Sequence, residues 1–128
     1  MSRLLVVDDE ANIRLLYSEE LQDEGYDVVT AASSAEAVEK LETGTFDLAV
    51  LDIKLKNESG IELLQKLVKE RHDMPVILSS AFSCYKDDFS AWLADGYVVK
   101  SSDLSELKQE IARVLAKKAQ KAKAGLPG

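Results

Sequence analysis

Five short apolar runs constrain this chain more than any other feature: Leu4-Leu5-Val6-Val7, Val28-Val29, Leu48-Ala49-Val50-Leu51, Val76-Ile77-Leu78 and Tyr97-Val98-Val99. A strand with one wet face alternates apolar and polar residues. Unbroken runs of this length fit strands covered on both faces, as in a parallel sheet. Between the runs lie stretches of helical period. Ile13, Leu16, Tyr17 and Leu21 form one stripe, with Gly25 placed to end the helix. Ser33 and Glu36 make a capping box for a second helix carrying Ala35, Val38 and Leu41, with Gly44 after it. Ile61, Leu64, Leu67 and Val68 stripe a third helix that must stop before Pro75. Phe89, Trp92 and Leu93 suggest a fourth. Asp103 with Glu106 caps a fifth, whose apolar face is Leu107, Ile111, Val114 and Leu115.

Strand alternating with helix five times implies right-handed crossovers and a parallel sheet with helices on both faces. The predicted fold is therefore α/β, a doubly wound (βα)5 sheet. Its 128 residues suit one domain, inside the usual ~100–200. The body is expected over residues 1–116. Residues 117–128, rich in Lys and Ala and poor in large apolar side chains, read as a C-terminal tail or the start of a linker.

Composition removes several classes of function. Sixteen Lys and Arg against 23 Asp and Glu give a net charge of −7, the wrong sign for a nucleic-acid footprint on this domain. One cysteine, Cys84, and one histidine, His72, are too few for a disulfide framework, a His/Cys metal cluster or Cys-His catalysis. No apolar run approaches the ~18 residues of a membrane span or precedes a cleavage site. A cytoplasmic location is expected.

In open parallel sheets, ligands sit beyond the carboxyl ends of the strands, where the strand order reverses. The residues that follow each run are therefore the informative ones. The first is followed by Asp8-Asp9-Glu10, the third by Asp52, the fourth by Ser79-Ser80-Ala81 and the fifth by Lys100. If the order is 2-1-3-4-5, strands one and three are neighbours and their acids converge. Two like charges ~4 Å apart repel by about 4 kcal/mol at an effective dielectric near 20. A hard divalent cation such as Mg²⁺, which takes carboxylate oxygens and bridges to phosphoryl groups, resolves that conflict. Lys100 adds an ammonium and Ser80 a hydroxyl. Together these groups make a cradle for a phosphoryl group carried on a carboxylate.

At these residues the sequence resembles the receiver domain of two-component response regulators, the flavodoxin-like family that includes the chemotaxis regulator. The resemblance covers about residues 2–116. Its motifs are Val6-Val7-Asp8-Asp9-Glu10; Asp47-Leu48-Ala49-Val50-Leu51-Asp52 with Gly60 eight residues after the aspartate; Pro75-Val76-Ile77-Leu78-Ser79-Ser80-Ala81; and Tyr97-Val98-Val99-Lys100. The resemblance implies a flavodoxin-like sheet of order 2-1-3-4-5 and a phosphorylation-switched signalling domain rather than a metabolic enzyme. It implies that Asp52 accepts a phosphoryl group from a histidine kinase or phosphotransfer protein. Mg²⁺ would be held by Asp9, Asp52 and the main-chain carbonyl of Lys54, with Asp8 acting through a water. Lys100 would bind the phosphoryl group or Asp52. Ser80 and Tyr97 would act as the switch, and Lys54 and Phe82 would set the lifetime of the phosphorylated state. Downstream, the resemblance implies an output protein or output domain, or a homodimer through the face of the fourth helix, fifth strand and fifth helix.

The chain also departs from the family pattern. Ser101 stands where the family usually has a proline in a cis bond, a geometry that costs a non-proline link ~3 kcal/mol. Lys56 replaces another proline, and the stretch from Ser80 to Tyr97 is short for the family. These departures keep open a pseudo-receiver, a protein-binding scaffold that works without phosphate. A Mg²⁺-dependent phosphohydrolase would usually show two acids spaced by one residue after the first strand, whereas Asp8 and Asp9 are adjacent.

Overall fold

The structure, a computed structural model, describes residues 2–55, 58–70, 74–80, 94–100 and 103–124. Among the described residues, seven strands and four helices follow one another: β1 (Arg3–Val7), α1 (Ala11–Asp23), β2 (Asp27–Ala31), α2 (Ser34–Thr43), β3 (Leu48–Asp52), β4 (Lys54–Leu55), β5 (Glu58–Ser59), α3 (Gly60–Glu70), β6 (Val76–Ser80), β7 (Gly96–Val99) and α4 (Ser105–Ala124). Strands β4 and β5 pair antiparallel as a separate two-residue hairpin, which no apolar run announced. The other five form one parallel sheet in the order β2-β1-β3-β6-β7. With the hairpin set aside this is the expected 2-1-3-4-5. The fourth helix expected from Phe89, Trp92 and Leu93 lies outside the described residues, as do Cys84 and His72.

Successive residues of a strand face opposite sides of the sheet, and the two cores divide on that parity. Leu5, Val7, Ala49, Leu51, Val76 and Leu78 pack with Ala37 and Leu41 of α2 and with Leu63, Leu64 and Leu67 of α3. Leu4, Val6, Leu48, Val50, Ile77 and Val98 pack on the other side with Tyr17 and Leu21 of α1 and Leu107, Ile111 and Val114 of α4. Each Leu, Val or Ile side chain among them, fully buried, contributes about 1.5–3 kcal/mol relative to exposure. The unbroken apolar runs exist because both parities are covered. The exception is β2, whose Val28 and Val29 are only half-buried because the strand lies at the sheet edge.

Local signals set the helix ends, with two corrections to the expected details. Helix α1 stops where Gly25 adopts φ +95°. The amide of Gly25 donates to the carbonyl of Gln22, and that of Tyr26 to Leu21. This is a Schellman closure, in which a left-handed residue returns two amides to the last turn. On α2, Ser33 Oγ accepts from the Glu36 amide at 3.2 Å, and the Glu36 carboxylate accepts from Ala32 N–H. The inward face of α2 is Ala37 and Leu41, one turn apart; Ala35 is exposed. Before α4, Asp103 Oδ1 accepts from the amide and hydroxyl of Ser105. Leu104 already supplies the first helical carbonyl, to Lys108, so Asp103 sits one residue too early for a capping box.

Helix α4 continues past residue 116 to Ala124. Lys118, within the stretch read as tail, donates to the Asp47 carbonyl at 3.3 Å. Among the described residues, no helix is long and apolar enough to cross a membrane.

Candidate functional site

The sheet order makes β1 and β3 neighbours and sends the chain outward in opposite directions from them, so a crevice opens beyond their carboxyl ends. Asp8 follows β1, Asp52 ends β3 and Lys100 follows β7. The Asp8 amide donates to the Ala31 carbonyl at the end of β2, and the Lys100 amide donates to Ser80 at 2.6 Å. Both residues are thus fastened by their backbones at the sheet rim before their side chains enter the crevice.

There the Lys100 ammonium lies 2.6 Å from Asp8 Oδ2 and 2.9 Å from Asp52 Oδ2. Asp8 and Asp52 are 2% and 5% exposed, so solvent screens these charges poorly. Burial by itself pushes the Lys100 ammonium toward the neutral form. Hydrogen bonds and charge from Asp8 and Asp52 outweigh burial, and its pKa is raised. Asp8 is oriented further: Oδ1 accepts from the Glu10 amide at 2.9 Å, and its carbonyl accepts from Arg14 Nη1 at 2.8 Å. One oxygen each of Asp8, Asp9 and Asp52 lie within 4.8 Å of one another. An octahedral Mg²⁺ with ligands at about 2.0–2.1 Å spans up to about 4.2 Å between opposite oxygens. An all-oxygen set this compact fits that ion after a small contraction.

The structure gathers Asp8, Asp9, Asp52 and Lys100 into one crevice. Asp9, half-buried, sits nearer solvent than Asp8, and Asp8 meets Lys100 directly. Ser80 ends the strand next to Asp52, 1% exposed. Tyr97, on β7, is half-buried against the core under α2 and α3. Lys54 belongs to the hairpin strand that follows Asp52. Phe82, Ser101 and Lys56 lie outside the described residues, and with them the Lys100–Ser101 link.

Two features escaped sequence reasoning. Arg14 holds the Asp8 carbonyl, although a lone arginine in a helix's second turn carries no distinctive signal. Tyr17 Oη and Ser79 Oγ lie 3.3 Å apart, both residues buried. The doubled hydroxyls Ser79-Ser80, ending a strand buried on both faces, were the available hint.

Comparison with known proteins gives concordant results. The family model for the response regulator receiver domain matches residues 4–112. The response regulator ArlR of Staphylococcus saprophyticus is 32% identical over 123 residues, covering 94% of this chain and 56% of ArlR. The chain thus spans about half the length of the curated relatives it matches. The crystal structure of the response regulator protein TrrA from Thermotoga maritima in complex with Mg²⁺-BeF is 47% identical. It aligns with a TM-score of 0.85 over 88% of this chain and 98% of TrrA. TrrA in complex with the histidine kinase ThkA, also 47% identical, aligns with a TM-score of 0.84 over 90% of this chain and 99% of that one.

Proposed function

Because the chain belongs to the response regulator receiver family, we propose that it is a phosphorylation-switched signalling domain that accepts a phosphoryl group on Asp52. The donor is the phosphohistidine of a histidine kinase or phosphotransfer protein. The observation that carries this reading is the nearly buried Asp52 carboxylate sharing the Lys100 ammonium with Asp8 at the switch point of the sheet. In the transfer, an Asp52 oxygen forms the bond to phosphorus as the phosphorus–nitrogen bond to histidine breaks, an in-line displacement in which positioning and charge stabilisation do most of the work. Asp9, Asp52 and the Lys54 carbonyl would hold Mg²⁺, with Asp8 through a water; when bound, the ion neutralises charge on the phosphoryl oxygens. Lys100 is already 2.9 Å from Asp52 and needs little movement to meet a phosphoryl oxygen. Ser80 donates to another oxygen, and Tyr97 follows it as the switch.

Support for a kinase partner comes from ThkA in the TrrA complex. Leu15 on α1 is 60% exposed and offers such a partner an apolar contact. We place the receiver body at residues 1–116, with 117–128 as a C-terminal tail or the start of a linker, in the cytoplasm. A homodimer would use the face built around β7 and α4. Lys54 and Phe82 are proposed to govern access of water to the acyl phosphate.

Incubation with acetyl phosphate and Mg²⁺ tests the reading. The expected product carries one acid-labile phosphoryl group, absent in Asp52→Ala. Labelling that persists undiminished in Asp52→Ala removes the assignment. No labelling of the wild type by any donor favours a phosphate-independent scaffold. Mg²⁺ binding without phosphodonor is expected to weaken most in Asp9→Ala, because deleting a direct ligand outweighs the relief of repulsion.

A further inference from the structure

Ser79 and Tyr17 form a buried hydroxyl pair that the chemistry above leaves unused. In the parallel register of β3 and β6, Ser79 lies opposite Asp52. Alternation places Ser79 on the face of Ile77 and Asp52 on the face of Val50, and both of those residues belong to the core under α1 and α4. Asp8 follows Leu4 and Val6 on that face, and Lys100 follows Val98. Ser80 falls on the opposite parity, with Leu78. Thus Ser79, rather than its neighbour, shares Asp52's side of the sheet.

Tyr17 reaches the same place from α1. Its ring is part of that core, its Oη is 3.3 Å from Ser79 Oγ, and both residues are 2% exposed. Burial raises the phenol's pKa, so it remains a donor throughout the physiological range. Two hydroxyls carry two hydrogens, and the bond between them uses one. A buried O–H left over is costly unless it meets an acceptor. When Tyr17 donates to Ser79, the remaining hydrogen is that of Ser79, whose Cα partner in register on the same face is Asp52.

We propose that Ser79 is a hydroxyl donor to Asp52, and that Tyr17 is a positioning residue acting through it. The inference rests on Asp52 being the phosphoacceptor. No proton changes hands: the Ser79 hydroxyl fixes the carboxylate so that one oxygen bonds to phosphorus and the other remains the acyl oxygen. Tyr17 thereby ties helix α1 to the orientation of the reacting group.

The test compares wild type, Ser79→Ala, Ser79→Thr, Tyr17→Phe and the double variant Ser79→Ala/Tyr17→Phe. The rate of phosphorylation by acetyl phosphate at saturating Mg²⁺ is measured, together with Mg²⁺ binding in the absence of donor and the folded fraction. A hydrogen bond to a charged group predicts about a tenfold slower rate for Ser79→Ala and about threefold for Tyr17→Phe. Ser79→Thr is expected to restore most of the rate, the double variant to be no slower than Ser79→Ala, and Mg²⁺ affinity to hold throughout. The proposal is overturned if Ser79→Ala matches wild type, or if its rate falls only in step with Mg²⁺ affinity or folded fraction. It is also overturned if Tyr17→Phe slows the Ser79→Ala background as much as it slows wild type. A wild type that takes up no phosphoryl group defeats the reading of Asp52 itself. Labelling of wild type at Asp52 with unaffected variants defeats this inference alone.

Discussion

Replacing Lys100 by Met keeps the length of the side chain and removes its charge, leaving two nearly buried carboxylates facing each other. The ammonium makes contacts of 2.6 and 2.9 Å to Asp8 and Asp52. At an effective dielectric near 20 each is worth roughly 6 kcal/mol before desolvation is counted. The acids it separates repel by roughly 3.5 kcal/mol per pair across the cluster's 4.8 Å. Desolvation of the lysine offsets much of that gross attraction, and removing one partner of a buried pair typically costs about 3–5 kcal/mol. Against a total stability of about 5–15 kcal/mol, the variant should still fold, with little to spare. Urea and thermal unfolding in the presence of a chelator are the assay. The expected loss is about 3–5 kcal/mol, or roughly 10–20 °C in Tm for a chain of this size. Adding Mg²⁺ should recover part of it, since a bound cation stabilises the folded state by mass action, by about 2.7 kcal/mol at 100 times Kd. A loss below about 1 kcal/mol in chelator would refute the reasoning, because such small values belong to exposed ion pairs.

Ser33→Ala removes the acceptor of the Glu36 amide and should cost about 1 kcal/mol in urea unfolding; an unchanged midpoint would show that this cap contributes nothing. Gly25→Ala should cost about 1–2 kcal/mol from backbone strain alone, since a Cβ there meets nothing within 4 Å; a neutral result by the same assay would contradict the left-handed closure of α1. Burial raises the Tyr17 phenol above its ordinary 10.0, so its contribution is complete below about pH 10 and is lost as pH rises through the folded value. Lys100 is raised as well and acts with the same sign, so Tyr17→Phe should flatten the alkaline fall in stability only in part. Stability measured at pH 8 and above pH 10 checks this, and an equally steep fall in Tyr17→Phe would count against it.

The α/β class and the acids at the strand ends were legible in the residues, and the sheet order came with the family resemblance that those residues carry. A parallel sheet covered on both faces requires unbroken apolar runs, and right-handed crossovers leave few ways to arrange five of them. Once β1 and β3 are neighbours, Asp8, Asp9 and Asp52 must converge. The two helical details that were misread, Ala35 for Ala37 and Asp103 as a cap, are shifts of one or two residues. Periodicity sets the existence of a helix more firmly than its phase or its first residue.

What only the tertiary structure decided depends on side chains that meet from distant parts of the chain. A parallel sheet brings together residues tens of positions apart, and the direction each takes follows from packing rather than from local pattern. Lys100 bridging Asp8 and Asp52, 92 and 48 residues away, is one case. Arg14 on the Asp8 carbonyl is another, since its reach depends on how α1 leaves the sheet. Tyr17 and Ser79 are the clearest. In the sequence one belongs to an apolar stripe and the other to a strand end. Their contact across 62 positions appears only when α1 is laid over the face that carries Asp52.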